Sequence, residues 1–195
     1  ASVEQYLKLQ DLCGNCSKSI DICLSGQSTG TILSDLEVGK LDVAIIPDFE
    51  VENYSDLESL SLGEIRLKLL VPKEHELADR QQVFFSDFKD LRFIMLTQEV
   101  WPLECASFYK LSEKNGVNID VIQYAEDVGT LLLYVALGKG ASILATNEEN
   151  CMQDKIKCVD IMSGEASLKL LLVWRSGNQN CAVSEFVEGV KGAFS

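Results

Sequence analysis

The residues best able to do chemistry are few. Cys13 and Cys16 form a C-x-x-C, Cys23 follows, and the chain holds seven cysteines and a single histidine, His75. A C-x-x-C acts in redox chemistry when a helix N-terminus lowers the thiol pKa, and in zinc binding when it supplies half of a four-ligand set. Neither condition is met here. The pair falls at the far end of an apparent helix, where the dipole has the wrong sign. That helix begins at Ser2, with Gln5 at the capping-box spacing and apolar stripes at Val3, Tyr6 and Leu7 and at Leu9, Leu12, Cys13 and Cys16. The chain has no second C-x-x-C and no C-x-x-H, so no metal and no cofactor is expected, and the early cysteines read as small buried hydrophobes. His75 has no nucleophile motif, H-E-x-x-H, P-loop or G-x-G-x-x-G to work with, so catalysis is not expected.

What remains is a set of hydroxyls and amides placed where helices begin. Ser2, Ser28 and Thr29 stand at the heads of two helical stretches, and Thr97 and Gln98 follow the apolar run "RFIML". Thr146 follows "SILA", and Trp101 lies four residues after Thr97. Such positions hold anions, because the first helical turn presents unpaired N–H groups and a partial positive charge. They are also where serine and threonine act as plain helix caps.

These residues are positioned by an alternation of apolar runs and amphipathic stretches. The runs are 20–24, 43–46, 65–71, 93–96, 121–124, 142–145, 156–161 and 168–174. Between them helices are predicted at 29–36 stopping at Gly39, at 101–115 stopping at Gly116 and at 127–137 stopping at Gly138. A last helix carries the stripe Val183, Phe186, Val187, Val190 and Phe194. The pattern predicts an α/β fold with mainly parallel sheets.

Composition narrows the function classes. An apolar fraction of 47% with 24% charged residues describes a packed globular chain. No apolar run approaches the roughly 20 residues of a membrane-spanning helix, so no membrane partner is expected. Thirty acidic against seventeen basic residues give a net charge of −13, which repels a phosphate backbone. Seven irregularly spaced cysteines do not form a secreted disulfide framework, which favours a reducing cytoplasm.

Several motifs in order resemble the effector-binding domain of LysR-type transcriptional regulators. Leu36, Gly39, Leu41, Asp42, Val43, Ala44 and Ile45 match that family's Leu-x-x-Gly followed by (L)D(L/V)AI. "HELA" at His75–Ala78 matches its HPLA turn, and a short "DL" helix at Asp87–Leu91 follows. "VALGKGASILA" resembles V-x-x-G-x-G-(I/V)-x-x-L-P, and "LLVWRSGNQNCAVSEFVEGVKG" resembles the closing strand, polar loop and helix. Two family prolines are replaced, by Glu76 and Ala145, and the strand that normally precedes the first helix is missing, as in a trimmed chain.

This resemblance implies a type 2 periplasmic-binding-protein-like fold of two α/β lobes joined by two crossover strands. Lobe I would comprise 1–73 plus 165–195, and lobe II 74–164. A small-molecule effector, an anionic metabolite, would sit between the lobes against Ser2, Ser28, Thr29, Thr97, Gln98, Trp101 and Thr146. The chain would pair as a homodimer or tetramer, with 3–16 and 20–24 of one copy against 103–115 and 119–124 of the other. DNA would be bound only through an N-terminal winged helix-turn-helix absent from this sequence. A solute-binding protein of a transporter and a small transferase or dehydratase on the same scaffold are the rival readings.

Overall fold

The computed structural model describes residues 23–49, 51–148, 150–152 and 154–193. Ser2, Cys13 and Cys16, with the predicted first helix, lie outside the described residues, as do residues 20–22 of the predicted strand 20–24; its described part, Cys23 and Leu24, is exposed and not in a strand. The chain divides into two compact units. Unit 1 contains the described residues up to Glu64 and from Lys169 onward, and unit 2 runs from Ile65 to Leu168. The chain passes between them twice, inside strand β2 (Leu57–Pro72) and inside strand β9 (Ser167–Arg175), so the divisions fall within strands rather than at 73 and 165.

In unit 1, helix α1 (Thr29–Glu37) buries Thr29, Leu33 and Leu36, spaced four and three residues apart along one face. It leads into β1 (Val43–Pro47), which pairs antiparallel with β9 from Val43 opposite Trp174 to Pro47 opposite Leu170. In strand order β9 lies between β1 and β2. Helix α4 (Cys181–Ala193) turns the buried stripe Val183, Val187 and Val190 inward, the spacing read from the sequence.

Unit 2 is built around the second half of β2. That segment pairs antiparallel with β6 (Ser142–Ala145) along one edge and with β8 (Ile156–Ile161) along the other, so Lys68 stands opposite both Leu144 and Asp160. The short β3 (Gln82–Val83) runs parallel to β8, and β7 (Asn150–Cys151) antiparallel to it. Strand β4 (Arg92–Leu96) pairs parallel with β5 (Asp120–Ala125). Helices α2 (Pro102–Lys114) and α3 (Val128–Ala136) follow β4 and β5.

Lys68 to Val71 are all buried, which marks a strand covered on both faces. Leu67, Leu69 and Val71 join one cluster with Val159, Ile161 and a file of aromatic rings, Phe85, Phe88, Phe93 and Phe108, with successive centroids 5.0, 5.5 and 6.0 Å apart. Leu70 points the other way, into a second cluster with Ile156, Cys158, Leu131 and Val135. Strand β4 divides likewise: Phe93 and Met95 serve the first cluster, Ile94 and Leu96 the second.

The "GKG" of the sequence has two structural jobs. Gly138 ends α3 at φ +71°, with its N–H on the Val135 carbonyl and the Lys139 N–H on that of Tyr134, a Schellman motif. Gly140 lets the backbone pass close to β4: a Cβ there would lie 2.7 Å from the Arg92 carbonyl oxygen, which accepts from the Ala141 N–H. The predicted stops at Gly39 and Gly116 close α1 and α2 with the same pair of bonds.

The expectation of mainly parallel sheets is corrected. Of the pairings with register, β1–β9, β2–β6, β2–β8 and β7–β8 are antiparallel, and only β3–β8 and β4–β5 are parallel. Apolar runs disclose that a strand is buried, but not its direction. Here the long crossing strands return the chain against its earlier course. No described helix is long and apolar enough to cross a membrane.

Candidate functional site

In unit 1, Ser28 and Thr29 begin α1, and both are buried. Ser28 has the extended backbone of an N-cap, and its hydroxyl accepts from the Thr31 N–H at 3.4 Å and lies 3.0 Å from the Thr31 hydroxyl. This hydroxyl is committed to its own helix. In the same unit Asn180 caps α4 through Oδ1, at 3.1 Å from the Ala182 nitrogen, while its amide donates to Asp42 at 3.3 Å. The Asp42 of the Leu-Asp-Val-Ala-Ile motif is therefore tied to the polar loop that opens the last helix.

In unit 2, β4 delivers Thr97 to the loop that starts α2. Its N–H donates to the Ala125 carbonyl at 2.9 Å, and its carbonyl accepts from the N–H groups of Val100 and Trp101 at 3.2 and 2.9 Å. The backbone is thus pinned on both sides. The Thr97 hydroxyl oxygen is shielded from solvent and has no hydrogen-bond partner among the described residues. A buried hydroxyl left unpaired costs about 1–3 kcal/mol relative to a satisfied one. Gln98, next in the loop, is exposed.

Trp101 occupies the N-cap position of α2, followed by Pro102, and offers no side-chain cap. Its indole N–H donates to the Glu126 carbonyl at 2.9 Å, which fastens α2 to the segment after β5. This half-buried ring is a bracket between two loops of unit 2, a role that its spacing alone did not reveal. Thr146, after β6, donates its N–H to the Arg66 carbonyl at 2.8 Å, and its hydroxyl accepts from the Glu148 N–H at 3.1 Å. The structure thus gathers Thr97, Gln98 and Trp101 in one loop, and sets Thr146 at the end of a separate strand of the same unit.

Two cations of unit 2 share one carboxylate. The Lys68 ammonium, buried on β2, lies 3.1 Å from Asp160, and Arg66 approaches the same carboxylate at 4.0 Å. Asp127 caps α3, accepting at 2.8 Å from the Thr130 N–H and at 2.7 Å from its hydroxyl, and these bonds hold its carboxyl below the usual range. Cys105, which donates to the Leu96 carbonyl at 3.2 Å, is pushed up to about 11 by burial and then by Glu104 and Glu99, so it stays a neutral thiol. His75 accepts the Leu77 N–H on Nδ1 at 3.2 Å within its turn. Among the described residues no three or more His, Cys, Asp or Glu side chains group as a metal site would require. The arrangement offers neutral hydroxyl and amide donors.

Sequence reasoning missed one chemically reactive arrangement. Cys151 and Cys158 stand 3.4 Å apart, sulfur to sulfur, across the β7–β8 hairpin. Their separation by six intervening residues matches no redox or metal motif, and only the strand register makes them neighbours.

Comparison with known proteins places this geometry. The curated relative YybE of Bacillus subtilis (strain 168), described as an uncharacterized HTH-type transcriptional regulator, is 26% identical over 154 residues, which is 79% of this chain and 51% of that protein. The chain therefore spans about half the length of that relative. Among solved structures, the effector binding domain of QuiR in complex with shikimate superposes with a TM-score of 0.77 at 22% identity, covering 95% of this chain and 90% of that one. The regulatory domain of Synechocystis PCC6803 CcmR in complex with 2-PG superposes at 0.80 and 16% identity, covering 97% and 91%. At such identities these structures speak for the fold. The model of the LysR substrate binding domain matches residues 18–195, and the chain belongs to that family.

Proposed function

We propose that this chain is the effector-sensing part of a longer LysR-type transcriptional regulator, and that its effector is a small carboxylate-bearing metabolite. The observation that carries the reading is the shielded, unpartnered hydroxyl of Thr97 at the mouth of α2 in a chain of this family. A carboxylate oxygen accepts from that hydroxyl, with Gln98 adding an amide donor and Thr146 still able to donate its hydroxyl proton. In unit 1, taken by itself, the head of α1 at Ser28 and Thr29 offers an acidic group the partial positive charge of a helix end, while the Ser28 hydroxyl is spent on Thr31. Two domains of the same fold are described with shikimate and with 2-PG, which supports a small acidic guest.

The effector acts by binding one state of the regulator more tightly than the other, since a ligand with equal affinity for both shifts nothing. DNA contact belongs to a segment outside these 195 residues, because a net charge of −13 opposes a phosphate backbone. The working compartment is then the cytoplasm, and no catalytic step is assigned. The regulator works as a homodimer or tetramer. Strand β5, with Ile122 and Tyr124 exposed on it, and helix α2 supply one side of the contact. The other predicted side, 3–16 and 20–24, lies almost wholly outside the described residues.

The test is calorimetric titration and thermal melting of this chain with shikimate and a panel of small carboxylates and phosphates, each beside its uncharged analogue. A true effector at about 100 times its dissociation constant adds roughly 2.7 kcal/mol to the native state, or about 5–10 °C in melting temperature. Equal response to acids and uncharged analogues, or response to none, would sink the carboxylate reading.

A further inference from the structure

We propose that Cys151 and Cys158 are a redox couple that closes to a disulfide across the β7–β8 hairpin when a hydroperoxide reaches Cys151. The geometry is the ground for it. The two sulfurs already touch at 3.4 Å, so they need to approach by a little over 1 Å to reach a bonded separation of about 2.05 Å. Register explains the meeting: Cys151 stands opposite Ile156, and Cys158, two residues further along β8, projects from the same face. The hairpin turn between them holds two non-glycine residues in the left-handed region, Met152 at φ 51° and Asp154 at φ 62°. Such a turn persists only where its surroundings enforce it.

The two thiols are not equivalent, and the difference assigns their roles. Cys151 is half-buried, whereas Cys158 is packed into the core cluster with Leu70, Ile156 and Leu131. The hydrogen-bond contact between the two sulfurs is the chief cause that brings Cys151 down to about 7 while driving Cys158 upward. The Lys68 ammonium, opposite Asp160 on the adjacent strand, favours the thiolate at both, and Glu148 opposes it at both. Cys151 is therefore the attacking thiolate and Cys158 the resolving thiol.

The chemistry balances in two steps. The Cys151 thiolate attacks the terminal oxygen of the hydroperoxide; an S–O bond forms, the O–O bond breaks, and the leaving oxygen departs as alcohol or water after taking a proton. Cys158 then attacks the sulfenic sulfur; the S–S bond forms, the S–O bond breaks, and the hydroxyl leaves as water with the Cys158 proton. Two thiols lose two electrons and the hydroperoxide gains them. This couple does not rest on the effector reading and gives the domain an oxidant-sensitive element.

The test uses this 195-residue chain with hydrogen peroxide at neutral pH, followed by alkylation and peptide mapping without reduction. The expected product is one cross-linked peptide joining Cys151 to Cys158, with free thiols falling from seven to five. In Cys158→Ser, which lacks the resolving thiol, dimedone is expected to trap sulfenic acid at position 151, and in the wild type, where the Cys158 contact is intact, iodoacetamide is expected to label Cys151 about threefold faster than exposed Cys23 and Cys181. A disulfide joining any other pair, or Cys151 no more reactive than Cys23 and Cys181, would overturn the proposal. The wild-type map stands whether or not the variant folds.

Discussion

Ser28 and Thr97 are alike in the sequence and different in the structure. Each is a hydroxyl residue at the start of a helical stretch, one in each unit. Ser28 gives its oxygen to the first turn of α1. Thr97 sits four residues before the N-cap of α2, where its backbone is consumed by the turn and its hydroxyl is left buried and unpaired. The difference lies in register. At the N-cap itself the side chain lies within reach of the helix's own N–H groups. One turn earlier it does not, and its hydrogen bond must come from elsewhere.

Three substitutions probe this contrast. The largest effect is expected from Thr97→Val, which keeps the shape and removes the hydroxyl. Loss of a hydrogen bond to a charged guest weakens carboxylate binding about 10- to 150-fold, read by titration calorimetry. The stability of the unliganded chain holds or rises, since nothing was bonded there. A melting temperature that falls with affinity unchanged would make Thr97 another structural hydroxyl.

Ser28→Ala is expected to behave in the opposite way. It removes a cap worth about 1 kcal/mol, which lowers the melting temperature by about 2–4 °C and leaves affinity nearly intact. Asp127→Asn should show the smallest change, and its signature is pH dependence. Asparagine still caps α3, so only the charge is lost. Because Thr130 holds the folded-state value below the unfolded one of about 3.9, ionised Asp127 adds stability above that range and loses it as pH falls through the lowered folded value. The gap in melting temperature between wild type and variant is therefore expected to close on acidification. A gap that widens toward acid would contradict the assignment.

Helices were legible wherever their stop was local. Gly39, Gly116 and Gly138 each end a helix through backbone bonds spanning a few residues, and the apolar stripe Val183, Val187 and Val190 faces inward as its spacing requires. The run Ile65–Val71 was recognised as buried, yet it belongs to a sixteen-residue strand that starts at Leu57. Its first half is mostly exposed, with only Leu57 and Leu60 half-buried and Leu62 buried, and so makes no continuous apolar run. Thr97, Gln98 and Thr146 follow strands β4 and β6, a placement legible in the sequence, whereas the bond from the Trp101 indole to Glu126 was not. An indole N–H takes whichever carbonyl the fold brings near, and that carbonyl is 25 residues away.

The sequence by itself determined the order of elements, the helix limits and the membership of a family, because caps, stops and periodicity act over a few residues and survive in any context. Only tertiary structure decided strand direction, which hydroxyl was spent and which left open, and the meeting of Cys151 with Cys158. Each of these depends on which distant segment arrives alongside, and that is settled by the burial of both faces of β2 rather than by any local preference.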